Sequence, residues 1–179
     1  MLVRIIAGAA RGRRLIAPAG NKTRPTADRV RESIFNVIGS RIIDARVLDT
    51  FAGSGAMALE ALSRGAREAF LIEIDKAAQQ ASRTNLNAAA LGGRLYCGDA
   101  LRVINRFKEP FDIIFLDPPY NKGLVEKILE KMLALGLISD TTLIVAELDV
   151  KAELILPAGL RSSKTSKYGD TAIYYCEKE

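Results

Sequence analysis

A chain of 179 residues, nearly half of them apolar and with a formal charge of +5, is one domain's worth and can bury roughly 70% of its unfolded surface. It contains no histidine, and its two cysteines, Cys97 and Cys176, lack zinc or disulfide spacing; this excludes Ser-His-Asp and Cys-His catalysis and leaves no metal site to expect. No apolar run approaches the ~20 residues of a membrane span and Met1-Leu2-Val3-Arg4 lacks a signal peptide's layout, so a cytoplasmic protein without a membrane partner is expected.

The charge is unevenly spread. Residues 1–40 hold eight Lys or Arg against two acids, and the remainder eighteen against nineteen. A cationic front points to a polyanion, RNA or DNA, more than to a merely solvated face. Within it, Leu2-Val3-Arg4-Ile5-Ile6 and Arg14-Leu15-Ile16-Ala17 flank Gly8-Ala9-Ala10-Arg11-Gly12-Arg13, which predicts a β-hairpin with a basic loop. Arg11, Arg13 and Arg14, with Arg24 further on, are candidate phosphate contacts. A sheet core has no need to charge such a loop, so this front is expected to grip RNA rather than stabilise the fold. Residues 1–22 are expected to form a basic extension and 23–179 the core of a single domain.

The next element is a helix. Thr26 can serve as its N-cap, Asp28 suits the positive end of the dipole, and Val30, Ile34, Val37 and Ile38 fall on one face before Gly39-Ser40. Arg29, Glu32 and Asn36 make a polar stripe whose spacing favours solvent. Arg46-Val47-Leu48-Asp49 then reads as a strand entering the turn Thr50-Phe51-Ala52-Gly53-Ser54-Gly55, and Ala56 to Leu62 as the following helix. Gly53 and Gly55 permit close backbone approach, and Ala58 a small helix–strand contact. The strand Ala69–Ile72 ends at Glu73, twenty residues beyond Gly53, where an acid can accept from both hydroxyls of a ribose. That arrangement suits a dinucleotide as well as another nucleoside cofactor.

Asp75 to Leu91 predicts a helix ending at Gly92-Gly93, and Arg94–Cys97 a third strand with Gly98-Asp99-Ala100 at its rim. Asp99 can accept from an adenine amino group or cap the helix over Leu101–Ile104. The fourth strand, Phe111-Asp112-Ile113-Ile114-Phe115-Leu116, closes on Asp117-Pro118-Pro119-Tyr120. Neither proline can donate to a ladder, so the strand stops and delivers Asp117 and Tyr120 to its rim. A carboxylate, a fixed Pro118 carbonyl and an aromatic face together suit a flat ring bearing an amine: two acceptors for its N–H bonds and a surface for stacking. A helix over Leu124–Leu135, a strand over Thr141–Ala146, and a hairpin of Arg161–Lys167 and Ala172–Cys176 turning at Gly169-Asp170, of type II′ or I′, complete the chain. Alternating strands and helices imply a mostly parallel α/β sheet. Gly53, Glu73, Asp99, Asp117 and Tyr120 then all lie at strand carboxyl ends, where open α/β sheets bind ligands.

With those residues assembled, the chain resembles a class I S-adenosylmethionine-dependent methyltransferase, which implies a Rossmann-like, seven-stranded mostly parallel sheet with an antiparallel C-terminal hairpin. Asp49 to Gly55 is similar to the family's glycine loop, Glu73 to its ribose-binding acid, Asp99 with Ala100 to its adenine side, and Asp117-Pro118-Pro119-Tyr120 to the motif of enzymes that methylate exocyclic amines. The resemblance extends end to end to the bacterial 16S ribosomal RNA guanine-N2 methyltransferases of the guanine-966 type. It rests on Arg11 to Leu15, on Arg24-Pro25-Thr26-Ala27-Asp28-Arg29-Val30-Arg31-Glu32-Ser33-Ile34-Phe35-Asn36, on Leu59-Glu60-Ala61-Leu62-Ser63-Arg64-Gly65-Ala66 and on Tyr168-Gly169-Asp170-Thr171. Ala7, Ala9 and Ala10 depart from the glycine, basic and aromatic residues common there, and Ala58 from a frequent glycine.

The resemblance implies S-adenosylmethionine held by Asp49, Phe51, Gly53, Gly55, Glu73, Asp99 and Ala100, with Thr26 and Arg29 flanking its methionine end. It implies a monomer acting on 16S ribosomal RNA in the small subunit or an assembly intermediate, with Asp117, Pro118, Pro119 and Tyr120 orienting the guanine amine. The rival readings are an adenine-N6 nucleic-acid methyltransferase, which shares the Asp-Pro-Pro-Tyr chemistry but needs a target-recognition region, and an NAD-binding oxidoreductase, which leaves that motif unexplained.

Overall fold

The computed structural model describes residues 3–18, 28–119 and 123–179. Two short strands, β1 (Val3–Arg4) and β2 (Arg14–Leu15), pair antiparallel with Val3 opposite Leu15. The loop between them carries Arg11 and Arg13, both exposed like Arg14. The expectation that this segment leaves the fold alone is corrected by the structure. Val3, Ile5 and Leu15 are buried, packing on Leu59 and Ala89. Gly8, at φ +82°, passes so close that a Cβ there would stand 1.7 Å from the Ser63 carbonyl oxygen. The hairpin is therefore part of the hydrophobic framework, and its arginines project from a packed base.

That base explains a segment whose purpose the sequence left open. Helix α1 spans Asp28–Ile38 and α2 Ala56–Ser63. Glu60 on α2 is fully buried and accepts from the Ile6 N–H at 2.7 Å, the Ala7 N–H at 3.0 Å and Arg64 Nε at 2.7 Å. Ser63 Oγ accepts from the Ala10 N–H at 2.9 Å. Arg31, also buried, donates to the Arg4 carbonyl and to Asp28, and lies 3.9 Å from Glu60. An unpaired buried charge is costly, and this pair is matched by backbone groups that would otherwise be orphaned. The apolar face predicted for α1 is correspondingly shifted: Arg31, Ile34, Phe35 and Ile38 are buried, while Val30 and Val37 are only partly so. Arg29, Glu32 and Asn36 face solvent as expected. The predicted cap Thr26 lies outside the described residues.

The main sheet contains β3 (Arg46–Asp49), β4 (Glu68–Glu73), β5 (Arg94–Cys97), β6 (Phe111–Leu116), β7 (Ile138–Asp149), β8 (Leu160–Tyr168) and β9 (Thr171–Lys178). Their spatial order is β5-β4-β3-β6-β7-β9-β8, with β3 to β7 mutually parallel and β9 antiparallel to both its neighbours. Helices α3 (Lys76–Ala89), α4 (Ala100–Val103) and α5 (Leu124–Ala134) connect the later parallel strands. Both faces are covered, which is why β6 is apolar from Ile113 to Leu116 instead of alternating, with only Asp112 near its start exposed. Ile113 and Phe115 pack with Ile34, Phe35 and Ile38 of α1, whereas Ile114 and Leu116 pack with Ile128, Leu129 and Met132 of α5.

Two element ends differ from expectation. Helix α3 stops at Ala89 with Ala90 left-handed at φ 54°, before the predicted glycines. Gly93 serves packing instead, since a Cβ there would lie 2.6 Å from Leu86 Cδ2. Strand β7 is twice the predicted length because its second half, from Ile144 to Asp149, pairs with β9. At the β8–β9 turn Gly169 has φ 58° and Asp170 is not among the positive-φ residues, which selects type II′ over I′. Among the described residues no helix is long and apolar enough to cross a membrane.

Candidate active site

The strand order reverses between β3 and β6: from β3 the chain proceeds to β4 and β5 on one side, and from β6 to β7 on the other. A crevice opens at the carboxyl ends of the two strands at such a point. Asp49 ends β3, and Asp117 follows β6. The register pairs Asp49 with Phe115 and Leu116 with Ala146. Strand alternation therefore turns Asp49, Asp117 and Glu147 toward the same face of the sheet.

Charge in this corner is unfavourable for the protein alone. Asp49 is buried, accepting from the Ala58 N–H at 3.3 Å, and burial pushes its carboxyl up to about 7; the Ala58 and Phe51 N–H groups pull against that shift and Glu73 adds to it. Ala58 itself is fully buried, so the small residue meets the close helix–strand contact. Asp117 is exposed to solvent, yet desolvation among the groups of the rim, then the like charges of Glu147 and Asp49, hold its carboxyl well above the usual carboxylate range. Repulsion between the carboxylates is the firmer of these causes, because a solvent-reached group keeps part of its hydration.

The glycine loop between β3 and α2 is braced from three sides. The Gly53 N–H donates to Glu73 Oε2 at 2.8 Å, Ser82 Oγ donates to the Gly53 carbonyl at 2.8 Å, and Asn85 Nδ2 donates to the Ser54 carbonyl at 2.8 Å. Glu73 Oε1 also accepts from the Asp75 N–H at 2.8 Å. The acid read from sequence as a ribose acceptor thus has a second occupation, holding the loop. A carboxylate has about four acceptor positions, so one on each oxygen remains for a ligand. Space is open over Gly53, where a Cβ would meet nothing within 4 Å.

Beyond β5, Asp99 does cap α4, its Oδ1 accepting from the Arg102 N–H at 3.1 Å, and Ala100 is buried behind it. Next to Asp99 lies a cleft of about 810 Å³ lined by Ile74, Gly98, Leu101, Arg102 and Lys131. Ile74 is 63% exposed. The sequence reading passed over it, though an apolar residue placed just after an acid that ends a buried strand was a usable signal. Glu147, Ser82 and Asn85 were missed for a different reason: nothing local distinguishes them.

Pro118 is half-buried and Pro119 exposed, as is Arg29 on α1. Arg24, Thr26 and Tyr120 lie outside the described residues. Ser33 on α1 and Tyr168 at the end of β8 share a hydroxyl–hydroxyl hydrogen bond, joining two of the motifs that carried the sequence resemblance. The residues present fit a cationic nucleoside such as S-adenosylmethionine. Carboxylates that resist ionising together welcome a positive charge, Glu73 and Asp99 keep acceptor capacity, and Gly53 leaves room. Among the described residues no group of three or more metal-ligating side chains is arranged to hold a metal ion.

The family model described as Conserved hypothetical protein 95 matches residues 3–177. The chain is 39% identical over 179 residues to the Ribosomal RNA small subunit methyltransferase D of Escherichia coli, covering 99% of this chain and 90% of that one. A protein of the same name from Haemophilus influenzae is 36% identical over 166 residues, covering 87% and 83%. The solved structure of the Escherichia coli protein yhhF superimposes with a TM-score of 0.90 at 39% identity, covering 100% of this chain and 99% of that one.

Proposed function

The chain belongs to the Conserved hypothetical protein 95 family, and from that membership and the rim geometry we infer that it is a ribosomal RNA methyltransferase acting on the exocyclic N2 of a guanine in 16S RNA of the small subunit. Its cofactor in this reading is S-adenosylmethionine, which when bound supplies an electrophilic methyl group on a sulfonium. The observation that carries the reading is Asp117, delivered by a proline-terminated central strand to the crevice that the braced glycine loop also borders. An aryl amine is a poor nucleophile because its lone pair is delocalised into the ring. Acceptors at Asp117 and the Pro118 carbonyl favour the pyramidal nitrogen on which positive charge develops, and Tyr120 is assigned to hold the ring. Positioning of this kind can contribute as much as roughly 7–11 kcal/mol, so no strong base is required. We place the protein in the cytoplasm as a monomeric single domain. Mapping methylated nucleotides in ribosomal RNA by mass spectrometry, from cells with and without the gene, tests the reading. A methyl group missing from one guanine in the deletion supports it; a change on adenine, or none, overturns it.

In the same reading Glu73 binds the ribose. Glu73→Ala should weaken S-adenosylhomocysteine binding by roughly 1–3 kcal/mol in calorimetry, through the removal of ribose hydrogen bonds. Because the substitution also frees the Gly53 N–H, Glu73→Gln provides the control, retaining one acceptor oxygen. An unchanged affinity in Glu73→Ala removes the residue from the site.

Arg11, Arg13 and Arg14, exposed on the hairpin, are assigned to the RNA backbone. Replacing all three with Ala should lower affinity for the small ribosomal subunit and flatten the log–log salt dependence by roughly 0.9 per duplex phosphate no longer neutralised, or 0.7 per single-stranded one. Cofactor affinity should hardly change. Equal slopes for wild type and variant would reduce these arginines to solubilising charges.

A further inference from the structure

Asn85 is 1% exposed, in the third turn of α3, and every hydrogen it can donate is engaged. Its Oδ1 accepts from the Ile16 N–H at 2.8 Å; its Nδ2 donates to the Ile16 carbonyl at 2.9 Å and to the Ser54 carbonyl at 2.8 Å. The orientation of the amide follows from chemistry, since a flipped group would set its oxygen against two carbonyl oxygens and its NH2 against an N–H. One side chain thus clasps two peptides from segments far apart in sequence. Ile16 directly follows β2, which contains Arg14, while Ser54 is the middle of the glycine loop.

Burial of the hairpin does not need this bond. Val3, Ile5 and Leu15 supply its apolar contacts, and Glu60 and Ser63 hold its backbone from α2. The Ile16 side chain is 56% exposed, so only its peptide is held. On the other side of the clasp, Ser82 lies one turn before Asn85 and holds the adjacent Gly53 carbonyl. The two side chains fix successive peptides of the loop, and only Asn85 reaches the hairpin as well.

We propose that Asn85 is a positioning residue that couples RNA contact at the N-terminal hairpin to cofactor binding at the glycine loop. The inference rests on the reading that the hairpin arginines touch RNA and that the loop holds S-adenosylmethionine. A load that orders the hairpin orders the Ile16 peptide, hence the Asn85 amide, hence the Ser54 carbonyl; each site then loses less freedom when the other is already filled. Reciprocity follows, because a coupling free energy belongs to both ligands.

The test measures the dissociation constant of S-adenosylhomocysteine with and without saturating small ribosomal subunits that lack the modification. Wild type should bind it roughly five-fold or more tightly in their presence, the lower end of common coupling factors. Asn85→Asp keeps the acceptor for the Ile16 N–H but loses both donors. It should bring the ratio close to one, with KM for RNA and for cofactor no longer interdependent; a ratio kept at the wild-type value would refute the role of Asn85. Asn85→Gln, which retains the amide on a longer stem, should restore part of the ratio. A measurement on the unaltered protein stands beside these: S-adenosylhomocysteine alone should slow hydrogen exchange at the Ile16 amide. If wild type methylates RNA and the arginine variant loses RNA affinity, yet the ratio is one or the Ile16 amide exchanges at the same rate, the coupling is refuted. If methylation or the arginine effect is absent, the functional reading itself has failed.

Discussion

Asp117→Ala should bind S-adenosylhomocysteine with near-normal affinity while kcat falls by about 10²–10³, the loss typical of one preorganised group aimed at developing charge. The expectation follows from where the charge appears. In the ground state the amine is neutral and Asp117 contributes little; as nitrogen turns pyramidal and positive, the acceptor strengthens, so its removal is felt in turnover more than in binding. Desolvation and the like charges of Glu147 and Asp49 raise the Asp117 carboxyl, and the orienting role does not depend on its charge. A neutral acid still offers its carbonyl oxygen as an acceptor. Asp117→Asn keeps such an oxygen and should retain a substantial part of the turnover that Asp117→Ala loses. Comparing kcat for the two variants with calorimetric affinity decides the role: equal, complete loss in both would make Asp117 a base, and near-normal turnover in Asp117→Ala would remove it from the chemistry.

Most of the sheet was legible because its signals are local. Apolar β6 ended by two prolines, a glycine turn after β3, and acids at the ends of β4 and β5 follow from backbone rules that need no tertiary knowledge. The resemblance added the strand count. What the residues could not disclose was the second use of groups already singled out. Glu73 was readable as a strand-end acid, but that it braces Gly53 depends on the three-dimensional path of the loop. Of the two uses read for Asp99 the structure shows the cap of α4, through one carboxylate oxygen.

The larger misreading concerned the first forty residues, where charge was allowed to argue against structure. Charge counts describe the surface, whereas the anchoring of the hairpin lies in Gly8, Val3, Ile5 and Leu15 and in partners fifty or more residues away at Glu60 and Ser63. Arg31 was hidden for the same reason. Helical spacing assigned Val30 and Val37 to the core, but a guanidinium facing buried Glu60 and the Arg4 carbonyl takes the inner position instead. Pairing of that kind has no period in the sequence. The exposed arginines and the buried apolar residues alternate within a few positions, so one segment can both anchor and grip.

Asp49→Asn should make the cofactor-free protein more stable than wild type at neutral pH, by up to about 4 kcal/mol, with the advantage vanishing toward pH 4. The Asp49 carboxyl is raised from 3.8 to about 7 in the folded chain, first of all by burial. Below the unfolded value both states carry the proton and the acid imposes no penalty. Between the two values the unfolded chain ionises while the folded chain does not, so wild-type stability declines as pH rises through this window and levels off above the folded value. Asparagine cannot ionise, and its carbonyl oxygen can still accept from the Ala58 N–H. Urea unfolding of both proteins at pH 4, 5.5 and 7 gives the difference directly; a difference that does not grow with pH would mean that Asp49 is already ionised in the folded chain. The gain should be accompanied by weaker S-adenosylmethionine binding, because a carboxylate that is costly to ionise alone becomes favourable once a sulfonium or ammonium charge is beside it. Binding of the cation should accordingly release a proton near neutral pH in wild type and not in Asp49→Asn, an outcome that calorimetry in buffers of different ionisation enthalpy can read.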